Sequence, residues 1–73
     1  MTRGEARTAV LTAAARLGDA HARHGSVPLT VNHGSRYIAD RAAAGVGLTW
    51  RDRIGDAGAV GAAYQRAYDE VRR

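Results

Sequence analysis

The side chains best suited to chemistry in this 73-residue chain are its eleven arginines, which are its only basic residues apart from three histidines. Seven acidic residues oppose them, so the formal net charge is +4 and the pI is near 10.7. A guanidinium group binds phosphate or a guanine edge through paired hydrogen bonds, so this charge favours a nucleic-acid partner. The absence of lysine beside sixteen alanines is also typical of a GC-rich genome, so the choice of arginine adds little.

Four of the arginines lie in a stretch with the order of a helix-turn-helix. From Ser35 to Ile54 the sequence predicts a short helix, a turn containing Gly45 and a second helical turn. The glycine follows Ala39 by six residues, later than in the standard motif, so the likeness is one of layout only. A DNA-binding role would place four arginines on backbone phosphates: Arg36, Arg41, Arg51 and Arg53. An ordinary helical corner with solvated arginines explains the pattern equally well.

The histidines and carboxylates give weaker signals. His21 and His24 are three residues apart on a predicted helix, and His33 or Asp40 could complete a metal site with them. Histidines packed at a helix end are the commoner arrangement, and no cysteine strengthens a zinc site. The carboxylates all occupy helix-cap or ion-pair positions. We therefore predict no metal, no cofactor, no small-molecule substrate and no catalytic residue, and we do not expect an enzyme.

An opening helix is predicted from Thr2 to Gly25. Thr2 and Glu5 have the spacing of a capping box, and Gly25 suits the left-handed residue that ends a helix. Gly18 inside the helix costs about 1 kcal/mol relative to alanine. A narrow apolar stripe recurs at steps of three and four residues and is expected to face the core: Ala6, Val10, Ala13, Leu17, Ala20 and His24.

An extended segment and a second helix follow. Apolar and polar residues alternate from Ser26 to Asn32, which predicts an extended connection that lays three apolar side chains on the helices. Pro28 cannot donate to a sheet, and no second strand is evident. The second helix is predicted from Arg36 to Ala44, with Gly45 ending it.

A short helical turn over Thr49–Ile54 and a last helix complete the chain. Asp56 is the expected cap of the last helix. Gly58 and Gly61 either weaken its first turns or let another helix pack closely. Its predicted core stripe again steps by three and four residues: Ala57, Val60, Tyr64, Ala67 and Val71.

Four aromatic residues divide into two pairs. Trp50 and Tyr64 are expected in the core, because the chain has no phenylalanine and few large apolar residues. Tyr37 and Tyr68 are not needed to fill the core and are expected to be less buried. Tyr68 lies beside the apolar stripe and is expected at the edge of the core or of a subunit contact.

These elements predict one all-α domain over residues 1–73: a small bundle of three main helices plus a short helical turn, with one extended segment between helices 1 and 2. Alanine supplies much of the apolar content, so the core is thin and contributes about 3–5 kcal/mol. No apolar run approaches the roughly 20 residues of a membrane span. We expect a soluble, cytoplasmic protein with no membrane partner.

The favoured function is a small basic DNA-binding protein, a helix-turn-helix-like transcription regulator or accessory factor that contacts the phosphates of double-stranded DNA through arginines. The alternative is a helical protein-interaction module or assembly subunit, which completes its thin core as a homodimer or against a helical partner. RNA binding is a third option.

Overall fold

The chain forms three α-helices in the computed structural model, which describes residues 1–50 and 55–73. Helix α1 spans Arg3–Arg23, α2 spans Ser35–Gly45 and α3 spans Ala57–Arg72. A single 3₁₀ turn, Leu29–Val31, precedes α2, and the described residues contain no β-strand. The predicted small all-α bundle is thus confirmed. None of the described helices is long and apolar enough to cross a membrane.

The predicted cap at the start of α1 is present. The amide N–H of Glu5 donates to the Thr2 hydroxyl at 3.1 Å, and the Thr2 N–H donates to the Glu5 carboxylate at 2.9 Å. Hydrogen bonding to the carboxylate from the Thr2 backbone, and then from the Thr2 side chain, favours its charged form and lowers the pKa of Glu5. At the other end Gly25 adopts a φ of 74°, and Ser26 donates to the carbonyl of His21. This is a Schellman ending, so both ends of α1 follow from local sequence.

The left-handed residue that follows α2 lies two positions later than predicted. Gly45 is its last residue, but the left-handed position is Gly47, with a φ of 74°. The Leu48 N–H donates to the Ala43 carbonyl at 2.8 Å, which closes a second Schellman ending. A glycine was needed where φ is positive, and the sequence offers two candidates within three residues.

The connection between α1 and α2, residues 26–32, is only partly extended. The prediction that all three of its apolar side chains pack on the helices is wrong. Pro28 is extended, but its carbonyl accepts from the Val31 N–H at 3.1 Å and so begins the 3₁₀ turn. Leu29 packs against the core, while Val27 and Val31 remain 63% and 64% exposed. The alternating pattern therefore does not mark one buried face, because only Leu29 of the three apolar side chains packs against the core.

The short helical turn predicted over Thr49–Ile54 falls largely on residues 51–54, which lie outside the described part of the chain. Trp50 is described and is buried, as predicted. Tyr64 is buried as well, and the two aromatic residues are the largest side chains of the core cluster. Its other buried members are aliphatic, and four of the seven are alanine: Val10, Ala14, Ile38, Ala39, Ala42, Ala43 and Val60.

The face of α1 that meets the core differs from the predicted stripe after Val10. The buried residues recur every four positions: Ala6, Val10, Ala14, Gly18 and Ala22. Ala13 and Leu17 are only partly buried, whereas Ala20 and His24 are exposed. The cause is Gly18, where a Cβ would lie 2.2 Å from the backbone carbonyl oxygen of Tyr64. The absent side chain lets α1 and α3 pack backbone to backbone.

Gly61 on α3 also permits another helix to pack closely, which is one of the two roles predicted for it. A Cβ there would lie 2.5 Å from the hydroxyl oxygen of Ser35, the first residue of α2. Asp56 caps α3 as predicted, accepting from the Gly58 N–H at 2.8 Å. The early glycine of α3 thus sets the distance between α3 and the start of α2.

Tyr37 and Tyr68, which were expected to be less buried than the other aromatic residues, differ in their burial. Tyr37 is exposed, and its ring stacks on that of His33 with centroids 3.9 Å apart. Tyr68 is buried, and its hydroxyl donates to the Ser26 carbonyl at 2.6 Å. Tyr68 therefore ties the connection to α3, a contact between residues 42 positions apart that helical spacing does not indicate.

Candidate nucleic-acid interface

The two described arginines of the predicted DNA surface, Arg36 and Arg41, lie in different grooves. Arg36 lines a groove beside Leu48, Thr49 and Trp50, and its Nε atom is 3.3 Å from a carboxylate oxygen of Asp40. Arg41 lines a groove on the other flank of α2, against α1. The other two predicted contacts, Arg51 and Arg53, lie outside the described residues. The structure thus separates Arg36 from Arg41.

The groove that contains Arg41 is formed between α1 and α2, and we call it the α1–α2 groove. It encloses about 360 Å³. Arg41 from α2 and Arg16 from α1 both line it. The remaining described lining is small or apolar: Ala13, Leu17, Ala20, Ala42, Gly45 and Val46. Small residues on both helices keep the groove open, so a ligand backbone could approach the two guanidinium groups closely.

The positive charge of the α1–α2 groove is not cancelled within its described lining, which contains no carboxylate. Both Arg16 and Arg41 are exposed, and neither forms an ion pair with a described carboxylate. By contrast, Arg23 pairs with Asp19 at 2.7 Å. Pairing with a carboxylate leaves little net field for an anionic ligand, so the unpaired arginines matter most.

The neighbouring groove between α1 and α3 has a mixed charge. Arg16 reaches this groove too, but Asp19 and Glu70 also line it. Helix α3 adds an ion pair between Arg73 and Glu70 at 3.1 Å. A polyanion is therefore favoured on the α1–α2 side of Arg16 and disfavoured on its α3 side.

His21 lies one helical turn after Leu17, and the positive charge of Arg41 in the α1–α2 groove acts on it. Its pKa is lowered, first by partial burial and then by the positive charges of Arg41 and His24. Its Nδ1 atom is 2.5 Å from the Tyr64 hydroxyl, with the two rings edge to face. The lowered pKa favours the neutral imidazole of His21. The charged residues of the groove's described lining are Arg16 and Arg41.

The histidines weighed as metal ligands have other contacts. His21 is bonded to Tyr64, and His33 stacks on Tyr37. Within residues 1–50 and 55–73, no three side chains of the metal-binding types come together.

Arg16 was missed by the sequence reasoning, although a signal for it existed. It immediately precedes Leu17 and lies between Ala13 and Ala20, so it borders the α1 stripe that was predicted to be buried. A long cation at the border of a helix contact faces the edge of any groove formed there. The helix-turn-helix layout that predicts the other arginine contacts begins only at Ser35 and so does not include Arg16.

Comparison with known proteins adds no family to this description. The chain matches no family model, no curated protein and no solved structure. What the fold and the site define is a small three-helix bundle with a basic groove between its first two helices.

Proposed function

We propose that the protein binds double-stranded DNA along its phosphate backbone, with Arg16 and Arg41 as the principal described contacts. One observation supports this most directly: arginines from two different helices line a single groove whose described lining has no carboxylate. Guanidinium groups donate paired hydrogen bonds to phosphate oxygens, and such contacts set affinity without reading sequence. The proposed role is that of an accessory factor or regulator in the cytoplasm.

Arg36 extends the proposed contact beyond the groove, and Arg51 and Arg53, which lie outside the described residues, stay proposed contacts from the sequence. Arg36 lies on the same helix as Arg41 but on its opposite flank, so the two would meet different phosphates. Because Arg16 and Arg41 come from different helices and Arg36 lies on the opposite flank of α2, backbone contact is favoured over reading of bases in the major groove. We therefore expect weak dependence on DNA sequence and strong dependence on salt.

The double substitution R16A/R41A is expected to weaken DNA binding about a hundredfold or more, because it removes two charge-assisted contacts that contribute roughly 1.5–3 kcal/mol each. For wild type engaging about six phosphates, the log–log slope of affinity against salt should be about −5. The variant should lose about two units of that slope. Fluorescence anisotropy with a random-sequence duplex, repeated across salt concentrations, measures both quantities.

The matched control is R66A/R72A, which removes the same charge from α3 and leaves the described lining of the α1–α2 groove intact. We expect this control to keep most of the affinity and slope. Equal losses in the two double variants would show that only net charge matters, which would reject the groove as the site. No binding by wild type at about 50 mM salt would reject DNA binding itself.

The alternative function, a helical protein-interaction module, has support from the exposed valines of the connection. Val27 and Val31 are among the most exposed large apolar side chains of the described residues. Gly61, in the glycine-containing start of α3 that was expected to let another helix pack closely, has an internal contact instead, because a Cβ there would meet Ser35. The observation that supports this alternative is therefore the pair of exposed valines in the connection and not the faces of the helices.

Sedimentation equilibrium tests that alternative with the variant V27S/V31S. If the valines join two copies of the chain, wild type should sediment as a dimer and the variant as a monomer. A strictly monomeric wild type that unfolds cooperatively would count against the homodimer.

A further inference from the structure

The segment of residues 26–32, which we call the connection, is held to α3 mainly by polar contacts. Tyr68 donates to the Ser26 carbonyl, the Leu29 N–H donates to the Tyr64 hydroxyl at 3.1 Å, and the Thr30 hydroxyl contacts Gln65. Apolar burial adds little, because only Leu29 packs against the core cluster. A change in one of these hydrogen bonds would therefore affect the position of the connection.

The hydrogen bond at Leu29 depends on the protonation of His21. The Tyr64 side chain is fully buried, and its hydroxyl has two described partners, the Leu29 N–H and Nδ1 of His21. The Leu29 N–H is a donor, so the hydroxyl hydrogen must go to Nδ1. Nδ1 can accept it only when His21 is neutral, with its own hydrogen on Nε2.

We propose that His21 and Tyr64 form a proton-sensitive latch: protonation of His21 makes Nδ1 a donor, leaves the Tyr64 hydroxyl hydrogen without an acceptor, and releases the connection at Leu29. A buried hydroxyl without an acceptor is unfavourable, so the closed arrangement loses population when His21 is charged. The latch is a property of the fold and is independent of the proposed DNA binding.

The two charged groups that act on His21, Arg41 and His24, both disfavour a charged imidazole and so favour the closed latch. Arg41 faces it from α2, His24 lies near it on α1, and Tyr64 contacts it from α3. The connection has no charged side chain. Arg41 and His24 both oppose a positive charge on His21 and, with burial, lower its pKa below the ordinary value of 6.5.

The direction of the pH effect follows from this lowered pKa. When the latch opens, His21 returns towards its ordinary pKa and takes up a proton more readily than in the closed state. The latch is therefore fully effective above about pH 6.5 and weakens as the pH falls below that value. Once the pH is below the lowered pKa of the closed state, its contribution is lost.

Amide hydrogen exchange of Leu29, followed by NMR without any nucleic acid, tests the latch. Between about pH 7.5 and pH 5.5 we expect the protection factor of Leu29, corrected for intrinsic exchange, to fall about tenfold, while core amides such as Val60 change little. The chemical shifts of the Leu29 amide and of the His21 ring should follow the same titration curve. If His21 titrates without any change at Leu29, the latch is rejected.

Three variants sharpen the experiment. H21N keeps an acceptor near the position of Nδ1 but cannot titrate, so protection at Leu29 should become independent of pH. Y64F should lower that protection at every pH, and H24N, the matched control, should keep the wild-type pH dependence. A pH dependence that persists in H21N would overturn the proposal. If H21N does not fold, the shared titration curve of Leu29 and His21 in wild type decides the matter, and DNA-binding results affect neither outcome.

Discussion

Replacing Gly18 with alanine is expected to destabilise the protein by about 1–3 kcal/mol or more, although helix propensity alone predicts a gain of about 1 kcal/mol. The added methyl carbon would lie 2.2 Å from the carbonyl oxygen of Tyr64, well inside contact distance. The obstructing atom belongs to the backbone, so no side chain can rotate away. Helices α1 and α3 must separate, which loosens the largest helix interface of the described fold.

Urea unfolding followed by circular dichroism measures this change, with G45A as the matched control. Gly45 is the last residue of α2, and a Cβ there would meet nothing within 4 Å. We expect G45A to be neutral or stabilising by up to about 1 kcal/mol. If G18A is as stable as wild type, the close backbone packing of α1 on α3 is wrong.

Replacing Tyr64 with alanine should have the largest effect of any single substitution considered, about 3–5 kcal/mol. The side chain is fully buried in the core cluster, and its hydroxyl also binds His21 and the Leu29 N–H. The variant would lose core packing and leave those two polar groups without their partner. Because small single cores contribute only about 3–5 kcal/mol in total, Y64A should be largely unfolded at room temperature.

Circular dichroism at about 25 °C reports the loss of helix directly. The matched control is Y37A, which removes the same side chain from an exposed site on α2 where it stacks on His33. We expect Y37A to change stability by only about 0.5 kcal/mol. A cooperatively folded Y64A with near wild-type stability would contradict the assigned core.

The candidate site could be predicted only in part from sequence. The excess of arginine could be predicted because it depends on composition alone. The position of Arg41 on an exposed flank of α2 could be predicted because it depends on helical spacing. The pairing of Arg41 with Arg16 in one groove was not, because the two residues are 25 positions apart and belong to different helices. Sequence periodicity gives the face on which a residue lies but not the residue that lies opposite.

Contacts between residues within about one helical turn could be predicted from local spacing. The Thr2–Glu5 capping box and the Arg36–Asp40 pair both form at the spacing that favours them. Three contacts between separate elements could not be predicted in this way: Gly18 lies against Tyr64, Arg16 and Arg41 share a groove, and the Tyr64 hydroxyl links His21 to Leu29. Local spacing sets the first kind of contact, whereas the second kind depends on how closely separate helices approach each other.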